Sequence, residues 1–217
     1  MNWQAVYTLA EASVYTGIPS TTLRSWFMPR SDGGGRGPIF NSDLPRIGDE
    51  FGLSFFNLVE AFVASFFKKN LVKPNDIRKA NLILKEKLHT PHPFVHAHLR
   101  TGLGHVVHDQ SHGTRFQEVI SKQLLFPEFS DGLHRLIYSP TTNLTDAWKV
   151  SPGVVIRPET GFGKPVLDIA GVSTLIVAKQ YVANGKNAAL VARLFKITEA
   201  GVNTAYQFEK NLRRIAA

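Results

Sequence analysis

The first residues with a clear hydrophobic pattern indicate a short helix followed by a tight turn. Thr8 and Glu11 have the capping-box spacing, in which a hydroxyl and a carboxylate accept hydrogen bonds from free N–H groups at a helix start. This spacing predicts a helix over residues 9–16. Gly17 then suits the left-handed position that ends many helices, and Ile18 can fill the corner with an apolar side chain.

A second helix is predicted directly after this turn, over residues 21–27, with Ser20 as its N-cap. Its apolar positions recur at the spacing of one helix face, so the other positions should point outward. The predicted inward residues are Leu23, Trp26 and Phe27, and the predicted outward residues are Thr21, Thr22, Arg24 and Ser25. The outward face therefore carries short polar or basic groups.

Two longer helices are predicted to support this pair. Ser54 can cap an apolar helix that extends to about Lys69, and another helix is expected over residues 75–88. The latter carries an apolar stripe at helical spacing, formed by Ile77, Ala80, Leu84 and Leu88. These helices are expected to form the surface against which the first pair packs.

Between the two pairs of helices lies a segment rich in glycine, proline and charge, with "RSDGGGRGP" at its centre. This composition is typical of neither a helix nor a buried strand. Because Arg30 and Arg36 closely follow the second helix, the segment has the position and charge of a wing that contacts DNA phosphates or the minor groove. A linker without such a role is the alternative.

The pattern changes over residues 89–150. Alternating pieces such as "PFVHAHLRTG" and "LHRLIYS", with turn residues between them, predict short antiparallel strands. An extended stretch, "PETGFGKPVL", is expected over residues 158–167. The middle of the chain is therefore predicted to be rich in β-structure.

Helical signals return near the C-terminus, where three helices are expected. They are predicted over residues 174–183, 188–194 and 199–214, with Ser173 or Thr174, Asn187 and Thr198 at their starts and Asn184-Gly185 after the first. The last two have the spacing of a helix-turn-helix.

The charge distribution favours a polyanionic partner. The 217 residues carry a formal net charge of +8, and 43% of them are hydrophobic, enough for a substantial core. Lys and Arg exceed Asp and Glu by three over residues 1–90 and by five over residues 151–217, with no excess between. The basic excess therefore lies towards the two ends.

Several classes of function are not supported by the sequence. The absence of cysteine excludes disulfides, thiolate nucleophiles and Cys-based metal sites. No candidate nucleophile is paired with a base, and the Gly-rich pieces lack the GxxxxGK[ST] phosphate-loop pattern, so we expect neither an enzyme nor a bound cofactor. The start of the chain does not resemble a signal peptide, and the most apolar stretch is interrupted by Ser54, Asn57 and Glu60, which predicts a soluble, cytoplasmic protein without a membrane partner.

Histidine offers a rival interpretation, since seven of the eight histidines lie between His92 and His134. On a strand, His96 and His98 would share one face, and three more histidines follow closely enough to suggest a metal site. The three are His105, His108 and His112. Carboxylates are few nearby and no HExxH-like pattern occurs, so we predict no metal site and favour surface or interface histidines.

The order of these segments resembles a known family. "YTLAEASVYTGIPSTTLRSWF", the wing and "LSFFNLVEAFVASFFKKNLVKPNDIRKA" are similar to a MerR-type winged helix. The stretch "FGKPVLDIAGVSTLIVAKQYVANGKNAALVARLFKITEAGVNTAYQFE" is similar to the small helical domain of antitoxins paired with PIN-like toxins. The whole resembles the large VapB-like antitoxins of VapBC systems. One departure is Ile169-Ala170, where that domain usually has Gly-Thr.

This resemblance implies a mainly α fold with a small β-rich middle. The expected parts are a MerR-like winged helix-turn-helix domain (residues 1–90), a β-rich connecting or dimerisation segment (91–157) and a three-helix, helix-turn-helix-like antitoxin domain (158–217). The implied function is binding and neutralisation of a PIN-like ribonuclease toxin, with repression of the protein's own operon. A homodimer or a toxin–antitoxin hetero-oligomer is implied by analogy.

The helix patterns, together with the resemblance, assign candidate site residues. Those expected to contact operator DNA are Ser20, Thr21, Thr22, Arg24, Ser25, Arg30 and Arg36. A second surface for DNA or a partner contains Lys196, Thr198 and Asn203, and the candidates for the toxin's acidic site are Arg213 and Arg214. Two alternatives stay open, a MerR-like regulator without a toxin and a His-based metal protein.

Overall fold

The computed structural model describes residues 6–28, 37–45, 51–101 and 127–216, although the side chains at 100–101, 127–129 and 213–216 are not described. The fold is mainly α-helical with small antiparallel sheets. The chain forms two compact units, one of residues Tyr7–Thr145 and one of Met1–Val6 with Asp146–Ala217. The predicted wing arginines, Arg30 and Arg36, lie outside the described residues, as do His105, His108 and His112.

The first unit opens with the predicted helix pair. Strand β1 (Tyr7–Thr8) pairs antiparallel with β2 (Gly52–Leu53), and it leads into α1 (Leu9–Thr16) and then α2 (Ser20–Phe27). The capping box at α1 is confirmed, because the Glu11 N–H donates to Thr8 Oγ1 over 3.1 Å and the Thr8 N–H donates to Glu11 over 3.0 Å.

The predicted cap of α2 is wrong. Ser20 is the first residue of the helix, and Pro19 occupies the N-cap position without a side-chain hydrogen bond. Proline has a fixed φ close to helical values, so the chain enters the helix one residue earlier than a serine cap would place it.

Helices α3 (Phe55–Lys69) and α4 (Pro74–Leu88) follow much as predicted. The Ser54 hydroxyl caps α3 by accepting from the Asn57 N–H over 3.1 Å. The buried residues of α3 occupy almost all of its circumference, so this helix is the central element of the unit. On α4 the predicted stripe is buried at Ile77, Ala80 and Leu84.

The predicted strand around "PFVHAHLRTG" is wrong. Pro93–Val95 form a 3-10 turn, and α5 (His98–Thr101) is a single helical turn. Pro93, Phe94 and Val95 are all buried, whereas a half-exposed strand would alternate. In "LHRLIYS" only β3 (Leu136–Tyr138) is extended, and it follows α6 (Pro127–His134).

Helix α6 approaches α3 very closely at one glycine. A Cβ atom added to Gly132 would lie 2.2 Å from Phe66 Cζ and 2.5 Å from Phe66 Cε2. Both residues are buried, so a side chain at position 132 would displace the ring or the helix.

The second unit starts with a meander. Strand β4 (Thr145–Ser151) pairs antiparallel with β5 (Val154–Ile156), which pairs with β6 (Val166–Leu167). The stretch predicted as extended is only partly so, because Gly161–Gly163 form a 3-10 turn with positive φ at all three residues. The turn containing Ile169-Ala170 is closed, since the Gly171 N–H donates to the Leu167 carbonyl over 2.8 Å.

The three C-terminal helices are confirmed. They are α7 (Thr174–Ala183), α8 (Ala188–Phe195) and α9 (Glu199–Ala216). The cap of α7 is Ser173, one of the two residues predicted there, and the cap of α8 is the predicted Asn187. Their shared core contains Leu167, Val177, Val191, Ala192, Val202 and Ala205. None of the helices described is long and apolar enough to cross a membrane.

Candidate nucleic-acid interface

The turn between α1 and α2 fixes the direction of the second helix. Gly17 has φ 71°, and its N–H donates to the Ser13 carbonyl over 2.9 Å. Ile18 then inserts into the core, where 4% of its surface stays exposed. Because an L side chain disfavours positive φ, glycine at this position sets the corner.

Helix α2 separates apolar from polar residues along its length. Leu23, Trp26 and Phe27 are buried, while Ser20, Thr21, Arg24 and Ser25 are exposed and Thr22 is half-buried. The Ser25 hydroxyl donates to the Thr22 carbonyl over 2.7 Å, so it retains acceptor capacity for an external donor. The outward face is therefore a short polar surface with one strong cation, held on a rigid helix.

A lysine of α3 lies beside the outward face of α2. This contact was not predicted from the sequence. Lys68 Nζ donates to Thr22 Oγ1 over 3.2 Å, and Lys68 and Lys69 are both exposed in the last turn of α3. Cations are favoured at a helix C-terminus. Lys68 is 46 residues from Thr22 in the chain, so only the packing of α3 against the first pair brings them together.

Residues 38–40 lie against the C-terminal end of α2. The Trp26 carbonyl accepts from the Ile39 N–H over 2.8 Å and from the Phe40 N–H over 3.0 Å. Arg78 of α4 donates to the Pro38 carbonyl over 3.2 Å. The residues that follow the predicted wing are thus fixed beside the candidate face.

A buried polar cluster anchors the same returning segment. His92 Nε2 lies 3.1 Å from Asp43 Oδ1, and His92 Nδ1 lies 3.4 Å from Glu60 Oε2. The Ser54 hydroxyl donates to Asp43 Oδ2. Asn57 Oδ1 accepts from the Asp43 N–H over 3.1 Å, and Asn57 Nδ2 lies 3.3 Å from Glu60 Oε2. The imidazole is therefore held between two carboxylates, one at each ring nitrogen.

The charges of the cluster depend on one another. Burial disfavours a charged imidazole, but the two carboxylates outweigh it and raise the pKa of His92 to about 9. Burial would also raise the pKa of Asp43, but hydrogen bonds with His92 and Ser54 hold it below its usual value. Burial raises the pKa of Glu60 in spite of His92. Lys85 of α4 adds a weaker attraction to both carboxylates.

This arrangement suits anchoring better than catalysis. Both ring nitrogens of His92 face carboxylates, and the ring lies 5.2 Å from that of Phe56. The carboxylates lie on opposite sides of the imidazole and do not converge on one point. Within the described parts of the chain, no group of three or more His, Asp and Glu side chains could hold a metal ion.

The second predicted surface is exposed but differs in form. Lys196 ends α8 with φ 53°, and Thr198 Oγ1 accepts from the Gly201 N–H over 3.0 Å. Lys196, Thr198 and Asn203 are all exposed. Arg213 and Arg214 belong to α9, but their side chains lie outside the described residues.

The predicted pair of histidines is adjacent without forming a strand face. The rings of His96 and His98 are 4.7 Å apart, and the His98 N–H donates to His96 Nδ1 over 3.3 Å. Burial, with the neighbouring His98, lowers the pKa of His96. His96 forms a bridge with Leu144 before the chain turns into α5. The contact is therefore local to this turn.

The described architecture defines a mainly α protein with a polar helix face in one unit and a three-helix core in the other. No protein-family model and no curated protein matches the chain. The crystal structure of Rv2018 from Mycobacterium tuberculosis is similar, with 27% sequence identity and a TM-score of 0.69. The alignment covers 92% of this chain and 96% of that one, so the similarity extends over both units.

Proposed function

We propose that this chain is a DNA-binding antitoxin of a type II toxin–antitoxin system. It binds operator DNA as a dimer through α1 and α2, which act as a winged helix-turn-helix of the MerR type, and represses its own operon. It neutralises a PIN-like ribonuclease toxin by direct binding. This proposal combines the geometry of the first helix pair with the family resemblance of the sequence, in the cytoplasm where DNA and toxin are found.

The exposed face of α2 carries the DNA-binding part of the proposal. Ser20, Thr21, Arg24 and Ser25 project from a helix whose other side is buried, and such a helix presents its N-terminal residues to base edges in the major groove. Thr22 and Lys68 extend the face with a hydroxyl and a cation beside it. Arg30 and Arg36 would contact phosphates from the wing.

The antitoxin part of the proposal rests on the resemblance and on partner chemistry. PIN-like toxins resemble metal-dependent ribonucleases with clustered carboxylates, and arginine pairs well with carboxylates. Arg213 and Arg214 near the end of α9 are candidates for that pairing. Lys196, Thr198 and Asn203 are a second candidate surface for the toxin or for DNA.

The DNA step can be tested with a matched pair of arginine variants. Arg24 and Arg193 are both exposed in the last turn of an eight-residue helix, α2 and α8 respectively. Arg24→Ala should weaken binding to the upstream region of its own gene by roughly 1–3 kcal/mol if Arg24 reads a base, whereas Arg193→Ala should not. Fluorescence anisotropy at fixed salt measures both. Equal losses of DNA affinity in the two variants would show that α2 is not the DNA-contacting helix.

The antitoxin step can be tested with the product of the adjacent reading frame. We expect a short protein with PIN-like carboxylates that co-purifies with the chain and whose ribonuclease activity falls when the chain is added. A neighbour that neither binds nor is inhibited, beside a chain that still binds DNA, would favour the MerR-like regulator without a toxin.

A further inference from the structure

Helix α7 exposes an apolar stripe. Leu175, Ile176 and Val182 are 41%, 52% and 53% exposed, and Lys179 is exposed among them. Counted from Leu175, these four positions are i, i+1, i+4 and i+7, which fall on one side of a helix with about 3.6 residues per turn. We refer to these residues as the α7 face.

The α7 face is exposed although the helix itself is firmly packed. Val177 and Ala178 are buried, and Val177 belongs to the core shared with α8 and α9. Thr174 is buried, and its hydroxyl lies 2.6 Å from Glu209 Oε1 and 3.2 Å from the Pro165 carbonyl. The stripe is therefore an ordered outward surface that an apolar partner could cover.

The charge around this face restricts the partner. Residues 169–198 contain no Asp or Glu, and the four Lys and Arg residues in this range are all exposed. They are Lys179, Lys186, Arg193 and Lys196. A second copy would bring two such cationic stretches together, which disfavours self-association through this face.

The aliphatic side chains argue against nucleic acid as the occupant. Interfaces with nucleic acid are more polar and more uniformly basic than interfaces between proteins. In contrast, Leu175, Ile176 and Val182 place three aliphatic groups around one lysine, a composition that suits the core of a protein interface with a charged rim.

We propose that the α7 face is the docking surface for a protein partner whose contact surface combines an apolar patch with carboxylates. This inference rests on the proposed function, and it names the part of the chain that holds the toxin. The main toxin contact is then on α7 and not at the end of α9. Lys179 pairs with a carboxylate of the toxin, and the aliphatic residues are buried against its apolar patch.

The experiment uses the full-length chain and the purified product of the adjacent reading frame. Ile176→Asp and Lys179→Glu alter the α7 face, and Leu82→Asp is the matched control, because Leu82 is 56% exposed on α4 in the other unit. Affinity is measured by titration calorimetry at two salt concentrations. Thermal melting and binding to the upstream DNA are recorded for every variant.

We expect Ile176→Asp to weaken the complex at least tenfold and Lys179→Glu to weaken it several-fold with a smaller salt dependence. Leu82→Asp should leave affinity unchanged, and all three should melt and bind DNA like the wild type. If the wild type binds the neighbouring protein but neither α7 variant weakens that complex, the docking surface is elsewhere and the antitoxin proposal stands.

Other results would overturn the inference in different ways. A wild type that does not bind the neighbouring protein removes the antitoxin proposal and this inference with it. A wild-type dimer that Ile176→Asp dissociates in sedimentation velocity identifies a second copy as the occupant. Loss of DNA binding in both α7 variants would identify nucleic acid as the occupant of the α7 face.

Discussion

The two helix surfaces of this protein differ in what their outward sides leave exposed. On α2 the exposed residues are short and polar with one arginine, and every large apolar residue of the helix is buried. On α7 the exposed side carries Leu175, Ile176 and Val182 around a lysine. Both helices are packed on a core, so the contrast comes from the residues and not from the packing.

Under the two proposals, the basic excess at the two ends of the chain serves two kinds of partner. Cations among hydroxyl groups suit phosphates and base edges, where most contacts are polar. Cations among aliphatic groups suit a protein partner. An apolar patch on that partner would bury the aliphatic groups and so stabilise the complex, whereas the polar surface of nucleic acid would not.

The largest effect is expected from the core beneath the polar face. Leu23→Ala should reduce the free energy of unfolding by about 2–5 kcal/mol, because Leu23 is fully buried and its removal leaves a cavity. Hydrogen exchange should accelerate over residues 9–27, and binding to DNA should weaken. Leu82→Ala, at an exposed position, should change stability by no more than about 0.5 kcal/mol. Equal effects would mean that α2 is not packed as described.

A comparable effect is expected from pH, through the cluster around His92. The pKa of His92 is about 9 in the folded chain and 6.5 when it is free, so the folded state binds the proton more tightly. The resulting stabilisation is complete below pH 6.5 and is lost as the pH rises through 9, for a total of roughly 3 kcal/mol.

Urea denaturation at several pH values measures this loss. His92→Gln should be less stable at pH 6.5 and should show a much flatter profile between pH 6.5 and 9. A wild-type profile as flat as that of the variant would contradict a charged His92. The titrating neighbours are Asp43, whose pKa is held below its usual value by His92 and Ser54, and Glu60, whose pKa is raised by burial.

An intermediate effect is expected at two glycines with positive φ that follow helices, Gly17 after α1 and Gly185 shortly after α7. Gly17 and Gly185 have φ of 71° and 63°, and a Cβ atom at either would meet nothing within 4 Å. Alanine should therefore cost about 1–2 kcal/mol at each position from backbone strain alone. Thermal melting of both variants checks this, and asparagine should restore part of the loss. A much larger loss at Gly17 would show that its corner does more than turn the chain.

The smallest effect is expected from Lys68, beside the polar face. If Lys68 neutralises one phosphate, Lys68→Ala should reduce the salt dependence of DNA binding by about 0.9 in the slope of log affinity against log salt concentration. Lys149→Ala, at an exposed position in β4, provides the control. An unchanged slope would exclude Lys68 from the interface.

The sequence predicted the local structure of both helix groups well. Capping residues act within three or four positions, so Thr8, Ser54, Ser173 and Asn187 could be assigned from spacing alone. The failure at residues 93–101 has a local cause too, because a short apolar run with proline fits a 3-10 turn as well as a strand.

The cluster around His92 could not be predicted from spacing. Ser54, Asn57 and Glu60 interrupt the most apolar stretch of the chain, and in the structure these three residues all belong to the cluster. Their helical spacing was visible, but Asp43 and His92 come from distant segments. Long-range packing therefore decided which polar groups met, as it did for Lys68 and Thr22.

The approach of α6 to α3 has a consequence for chains related to this one. Because Gly132 leaves no room for a Cβ atom beside the Phe66 ring, the two positions share one fixed volume. In related chains a larger residue at position 132 should be accompanied by a smaller one at position 66. Correlated variation at these two positions would therefore identify distant members of this fold whose sequences have otherwise diverged.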